Sequence, residues 1–300
     1  NQVSFPWSMI DKITPRPDAS VKKMLEDAGF TDTESIVTSK NTYVAPFVNA
    51  EEAQYLVIEN AFPNGRPALE NAGVMFTSRE TVEKVERMKV CTCLNPLHTA
   101  LAVYGCLLGY TKISDEMKDA DLVKLVEIIG YKEGLPVVTD PGILSPKKFI
   151  DEVLQIRVPN PFMPDTPQRI ACDTSQKLSI RFGETIKEYM ASSELDVKSL
   201  KFIPMVQAGW CRYLLGVDDE LNAFTVSPDP MYEELAGKLA GVKVGESCDV
   251  HAVLSPILSD AKIFGVNLYE AGLGEYVESI FAELIAGKGA VRETLKRHLA

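Results

Sequence analysis

Strand-forming sequence is confined to the first quarter of this chain, and from Thr77 onward the apolar pattern is helical to the end. Runs rich in β-branched and aromatic residues stand at 43–48 and 55–59, with a shorter one at 74–76. Pro46 makes the first of these an edge strand or a bulge. Residues 18–29 read as a short amphipathic helix ending on Gly29, and the segment before them as strand or loop. So few short strands make a poor sheet alone. Residues 1–76 therefore read as the tail of a larger α/β domain whose beginning is absent. Residues 77–300 read as an all-helical domain.

Within that domain the helix signals are explicit. Thr77-x-x-Glu80 fits a capping box, and Val82, Val85 and Met88 recur at helical spacing. Further helices are expected at about 96–108 and at 121–129 with Gly130 as the C-cap. Another opens at Ser145-Pro146, with Phe149, Ile150, Val153 and Leu154 on its apolar face. Residues 165–181 and 182–192 read as helical, and the mostly apolar stretch 199–215 as a central helix. Asp229-Pro230 opens a helix to about 239, Ser255-Pro256 a short one, and 268–286 and 290–299 close the chain.

Composition narrows the function classes. The chain of 300 residues is 46% hydrophobic and 24% charged, as globular proteins are. No apolar run reaches the roughly 18 residues of a membrane span, and the longest, 100–108, is broken by Tyr104 and Gly105. A net charge of −11 argues against nucleic acid as a partner but permits local cations around a small anion. The six cysteines are scattered, which reads as reduced thiols and a cytoplasmic location. Cys91-Thr-Cys93 lacks a second close pair, so no metal is expected. No Gly-x-Gly-x-x-Gly occurs, and Gly272-Leu-Gly274 has no strand before it, so nothing here cradles a dinucleotide pyrophosphate.

Two stretches carry candidate chemistry. In residues 86–98, Lys89 precedes core-like Val-Cys-Thr-Cys-Leu. A lysine at the edge of apolar sequence has its charged form destabilised, as a general base acting on an alcohol requires. The ordinary alternative is a solvated lysine. Glu86 lies one turn earlier, as an ion-pair partner or a proton relay to water. Asn95 before Pro96 is a favoured N-cap, or an amide that donates to a carbonyl or alkoxide oxygen. His98 would share that face, although a lone histidine on a helix is more often structural. In residues 160–177, Arg169, Asp173 and Lys177 step by four along one expected helix. They form either a solvated ladder or a clamp for an anion or polyol.

These residues resemble the long-chain polyol dehydrogenases, the mannitol dehydrogenase family that includes mannitol 2-dehydrogenase, fructuronate reductase and tagaturonate reductase. Phe5-x-x-Ser8-x-Ile10-Asp11-Lys12-Ile13-Thr14-Pro15 is similar to the family signature. Lys89…Leu94-Asn95-x-x-His98 resembles its catalytic segment, and Asn160…Asp165…Arg169…Asp173-x-Ser175-x-Lys177 its substrate-side helix. The resemblance runs the length of the chain. It implies a mainly α fold, a 6-phosphogluconate-dehydrogenase C-terminal-like helical domain after the tail of a Rossmann-type domain. It also implies an NAD- or NADP-dependent oxidoreductase, without a metal, that interconverts a hexuronate or hexitol and its keto form. In that scheme Lys89 is the acid/base, Asn95 half of an oxyanion-binding pair, His98 an orienting residue and Glu86 the proton relay. Arg169, Lys177 and Asp11 line the substrate site. The partner is a small sugar acid or polyol, not nucleic acid or a membrane, and the chain alone is expected to be inactive. The rival reading is a non-catalytic helical scaffold derived from such an enzyme. Two departures stand out: Lys89 and Asn95 are six residues apart where five is usual, and Pro96 replaces a glycine. An extra residue in a regular helix re-aims Lys89. The spelling Ser175-Gln176-Lys177 leans toward the uronate reductases.

Overall fold

The computed structural model describes residues 3–12, 17–48, 50, 55–163 and 165–300. Its first part is mixed. Strand β1 (Ser8–Asp11) is followed by helix α1 (Ala19–Asp27), which the Asp18 side chain caps through Ser20 N–H at 2.8 Å. Strands β2 (Ile36–Val37) and β3 (Tyr43–Val44) pair as a small antiparallel ladder. Strand β4 (Tyr55–Glu59) is central in a second sheet, antiparallel to β1 and parallel to β5 (Met75–Thr77), with Met9 opposite Val57 and Val57 opposite Met75. One residue, Ser78, joins β5 to helix α2 (Arg79–Met88) and caps it, accepting from Thr81 N–H at 3.2 Å. The cap thus falls one residue later than the Thr77-x-x-Glu80 box. Val57, Val82 and Val85, all fully buried, join this sheet to α2.

The rest is helical: α3 (Asn95–Leu107), α4 (Ile113–Glu116), α5 (Ala120–Glu127), α6 (Pro146–Glu152), α7 (Pro167–Ile170), α8 (Glu184–Ala191) and α9 (Phe202–Tyr213). Then come α10 (Tyr232–Leu239), α11 (Val250–Leu258), α12 (Ala261–Phe264), α13 (Gly274–Leu284) and α14 (Ala290–Leu299). The expected mainly α architecture is the one observed. α9 is the axis of the core. Every residue from 203 to 213 is buried, and the helix packs against α3 and α13. Three backbone N–H groups at its start, of Lys201, Phe202 and Ile203, donate to the buried Glu133 carboxylate at 2.7–2.8 Å. An acidic group at a helix N-terminus satisfies donors that the helix leaves open. Gly209 lets the Tyr104 ring approach, and Tyr104 Oη donates to Met205 O at 2.9 Å.

Several helix limits differ from the sequence reading, each for a physical reason. α2 and α3 are joined through Lys89–Cys93 into one helical body of 29 residues, long and apolar enough for a membrane span, yet 83% of its apolar window is buried inside the protein. Gly130 does not end a helix: α5 continues into a wide turn, Ile128–Gly134. Pro256 lies inside α11, which Asp249 caps, and Asp229 caps no helix. Instead Asp229 accepts from Ser175 N–H (2.8 Å) and Met231 N–H (2.9 Å), and α10 starts at Tyr232. Residues 165–181 are not one helix. α7 stops at Ile170, and Asp173 is left-handed with φ of 51°. Its N–H is drawn to Pro228 O at 2.8 Å.

Candidate active site

Three helices that carry candidate residues widen. Regular α-helix gives way to π turns, with bonds five residues back instead of four, at Lys89–Cys93, Val153–Arg157 and Ser179–Gly183. Each carries a cation, Lys89, Arg157 and Arg181, of which Arg157 lines the cleft at His98. The first wide turn resolves the spacing anomaly. Leu94 N–H donates to Lys89 O at 3.1 Å, so Leu94 takes the place of the fourth residue after Lys89 and Asn95 that of the fifth. A wide turn accommodates one residue more than a regular α turn. Cys91, Thr92 and Cys93 are buried by it. Thr92 packs so closely on Gly134 that a Cβ there would lie 2.8 Å from its methyl group. Burial pushes the thiols of Cys91 and Cys93 up to about 11 and about 12, which makes them poor metal ligands. All six cysteines are free.

Asn95 is the first residue of α3, not its cap. Leu94 occupies the cap position with φ of −129°, and Pro96 sits in the first turn, where its missing N–H costs nothing. Among the described residues the Asn95 carboxamide has no hydrogen-bond partner, so it is open to donate. Thr99, one turn on, donates from Oγ1 to Asn95 O at 2.8 Å.

His98 lines a narrow cleft of about 20 Å³ with Leu94, Ile113, Arg157, Val158, Met163 and Asp165. Burial first, and then the cations Arg157, Arg181 and Arg169, hold the His98 imidazole down to about 4 against the opposing pull of Asp165. His98 is therefore neutral at pH 7 and can donate through one ring nitrogen and accept through the other. Asp165 accepts a two-pronged contact from Arg169, with Nε at 2.7 Å and Nη2 at 2.5 Å. Arg169 reaches the cleft through that carboxylate rather than as part of its wall.

The expected ladder of Arg169, Asp173 and Lys177 does not form, because the left-handed Asp173 breaks the helix between them. Lys177 instead donates to Cys172 O, and burial together with the neighbouring Arg181 lowers its pKa. Lys89 is half-buried and Glu86 exposed one turn before it, and neither forms part of the cleft wall. The side chain of Asp11, with Ile13, Thr14 and Pro15, lies outside the described residues. Arg157 and Arg181 were not legible as site residues. The widening that brings them in leaves no composition signal, and Arg181 Nη1 meets Thr99 Oγ1 (2.7 Å) from 82 positions away.

Residues 81–280 match the family model of the mannitol dehydrogenase C-terminal domain. The chain belongs to this family, the helical domain of the polyol dehydrogenases. A D-mannonate oxidoreductase of Thermotoga maritima is 60% identical over 298 residues, 98% of this chain and 55% of that protein. Mannitol dehydrogenase 2 of Saccharomyces cerevisiae is 30% identical over 273 residues, 89% of this chain and 50% of the relative. Mannitol 2-dehydrogenase of Pseudomonas fluorescens, solved as a ternary complex with NAD and D-mannitol, superposes with a TM-score of 0.76 at 26% identity. That match covers 99% of this chain and 54% of the solved one. The chain spans about half the length of the curated relatives it matches.

Proposed function

We propose that this chain carries the substrate-binding and proton-transferring part of a nicotinamide-dependent oxidoreductase that interconverts a hexuronate or hexitol and its keto form, with a D-mannonate/fructuronate-type pair as substrate. The observation that carries the reading is the cleft at His98. A neutral imidazole there shares the wall with Arg157 and feels Arg181 and Arg169 nearby, in a chain of net charge −11, beside an unengaged Asn95 amide at the head of the same helix. The 60% identity to a D-mannonate oxidoreductase supports the acid over the neutral polyol.

Lys89 takes the hydroxyl proton during oxidation and returns it during reduction. Asn95 donates to the oxygen on which negative charge develops. His98, neutral, exchanges hydrogen bonds with a substrate hydroxyl. Glu86, exposed one turn before Lys89, hands the proton to water. Arg169 and Lys177 hold the far end of the substrate, and Asp11 approaches from residues 1–76, which we read as the tail of a nucleotide-binding domain. A nicotinamide nucleotide, NAD or NADP, would take or supply the hydride when bound. The residues here do not fit that group's pyrophosphate, since the β5–α2 junction is Ser78 alone and no glycine-rich turn follows a strand among the described residues. Nucleotide binding is assigned to sequence beyond these 300 residues.

The test is turnover. The protein that includes its nucleotide-binding half should oxidise NADH or NADPH with fructuronate, tagaturonate or fructose. If it consumes neither nucleotide with any of them, the scaffold reading replaces this one.

A further inference from the structure

Arg181 has no part in the scheme above, yet it sits beside the groups that do. Its backbone N–H donates to Lys177 O at 2.9 Å, so the two cations stand one turn apart on the same ridge. Its Nη1 donates to Thr99 Oγ1 at 2.7 Å, and Thr99 in turn donates to Asn95 O. The guanidinium is thereby pinned against the face of α3 that carries Asn95 and His98.

Four other arginines of this domain show what Arg181 lacks. Arg169 is clasped by Asp165, Arg87 by Glu184 and Glu188, and Arg292 by Asp119 and Asp121. The fully buried Arg212 donates to three carbonyls, those of Leu284, Val217 and Asp218. Arg181 has five N–H donors and one side-chain bond, to a neutral hydroxyl. Among the described residues no carboxylate pairs with it. Burial alone pulls its pKa down to about 10, with no acid offsetting it. A sequestered charge without a counter-charge is costly, and the cost is relieved when an anion arrives. The adjacent Lys177 repeats the pattern, since its ammonium donates to the neutral Cys172 carbonyl. A planar fork beside a point charge is a matched receptor for a carboxylate.

We propose that Arg181, with Lys177 beside it, is the subsite for the substrate's carboxylate and makes the site select sugar acids over neutral polyols of the same skeleton. This rests on the oxidoreductase reading of the same site, and the experiment separates the two. In the protein that includes its nucleotide-binding half, kcat/KM is measured with fructuronate and with fructose for wild type, Arg181→Gln and Arg181→Lys. The ratio of the two values should fall tenfold or more in Arg181→Gln, through KM for the acid, and recover in part in Arg181→Lys. An unchanged ratio, or equal losses on both substrates, overturns the subsite. So does a wild type that uses fructose and not fructuronate, although the oxidoreductase reading then stands.

If the wild type turns over neither substrate, binding decides the subsite, and the oxidoreductase reading fails only if tagaturonate is not turned over either. Mannonate, and not mannitol, should raise the melting temperature of the wild-type chain, and the rise should vanish in Arg181→Gln while persisting in Arg181→Lys. A rise with both ligands or with neither overturns it. Should Arg181→Gln not fold, the Arg181→Lys variant and the wild-type contrast of mannonate with mannitol decide the subsite in the same way.

Discussion

The stretch before Thr77 and the helical body after it use similar residues to opposite effect. In the first, Phe5 is 87% exposed, Phe30 62% and Val37 65%, and α1 buries nothing although one of its faces is apolar. In the second, Trp210, Phe264 and Phe281 are sealed in one continuous core around α9. Amphipathic pattern alone does not bury a side chain. A helix or strand needs a facing element to complete it, and β1–β4–β5 meets one where Val57 touches Val82 and Val85 and where the Tyr55 ring meets Phe149 at 5.7 Å. The helical body is self-sufficient, and it is there that a site can be held rigidly.

That contrast can be broken by mutation. The largest expected effect is on catalysis. Lys89→Ala, in the protein with its nucleotide-binding half, should lower kcat about 10²–10⁴-fold, the range for removing a positioned acid/base. Undiminished turnover would move the chemistry out of the wide turn.

Next comes Glu116, fully buried against Gly105, whose carboxylate oxygens have no hydrogen-bond partner among the described residues. Burial, with Asp119 and Asp165 nearby, pushes its carboxyl up to about 9. The folded state therefore keeps a proton that the unfolded chain loses above about pH 4.5. Stability is complete below that pH and is lost as pH rises toward 9, by at most about 1.4 kcal/mol per unit. Denaturation of the wild type at pH 5 and pH 8 should show the decline, and Glu116→Gln should flatten it. A wild type equally stable at both values would mean that Glu116 finds a partner on ionising.

Glu133→Ala should cost about 3 kcal/mol in the same assay by leaving three N–H groups of α9 unsatisfied. Smallest of all, Phe30→Ser should change the stability of this chain by less than about 0.5 kcal/mol. A loss comparable to that of Glu133→Ala would show that the first stretch is packed more tightly than its exposure implies.

Local signals in the sequence were reliable wherever the determining contact is local. Ser145 caps the helix it precedes. Val82, Val85 and Met88 form the buried face of α2 as their spacing requires. β3, the strand before Pro46, is an edge strand of a two-stranded ladder among the described residues. Asn95, His98 and Thr99 fall on one face of α3 because that helix is regular from its first turn. The readings failed where a distant atom outbids a local one. Asp229-Pro230 looks like a cap, but the carboxylate is taken by Ser175, 54 positions earlier. Residues 165–181 look continuous until Pro228 draws in the Asp173 N–H.

The helical character of the chain after residue 77 and the family were thus legible in the bare chain, which also marked the cluster from Glu86 to His98 as a candidate. Periodicity, caps and short motifs are written in neighbouring residues. How that cluster is used depends on packing between distant elements. The wide turn after Lys89 accommodates one residue more than a regular α turn. Packing and the neighbouring arginines hold the His98 imidazole below its usual range, and packing places Arg181 on Thr99 without a counter-charge. A π turn and a buried cation both cost free energy locally and persist because distant parts of the fold hold them, so no local pattern announces them.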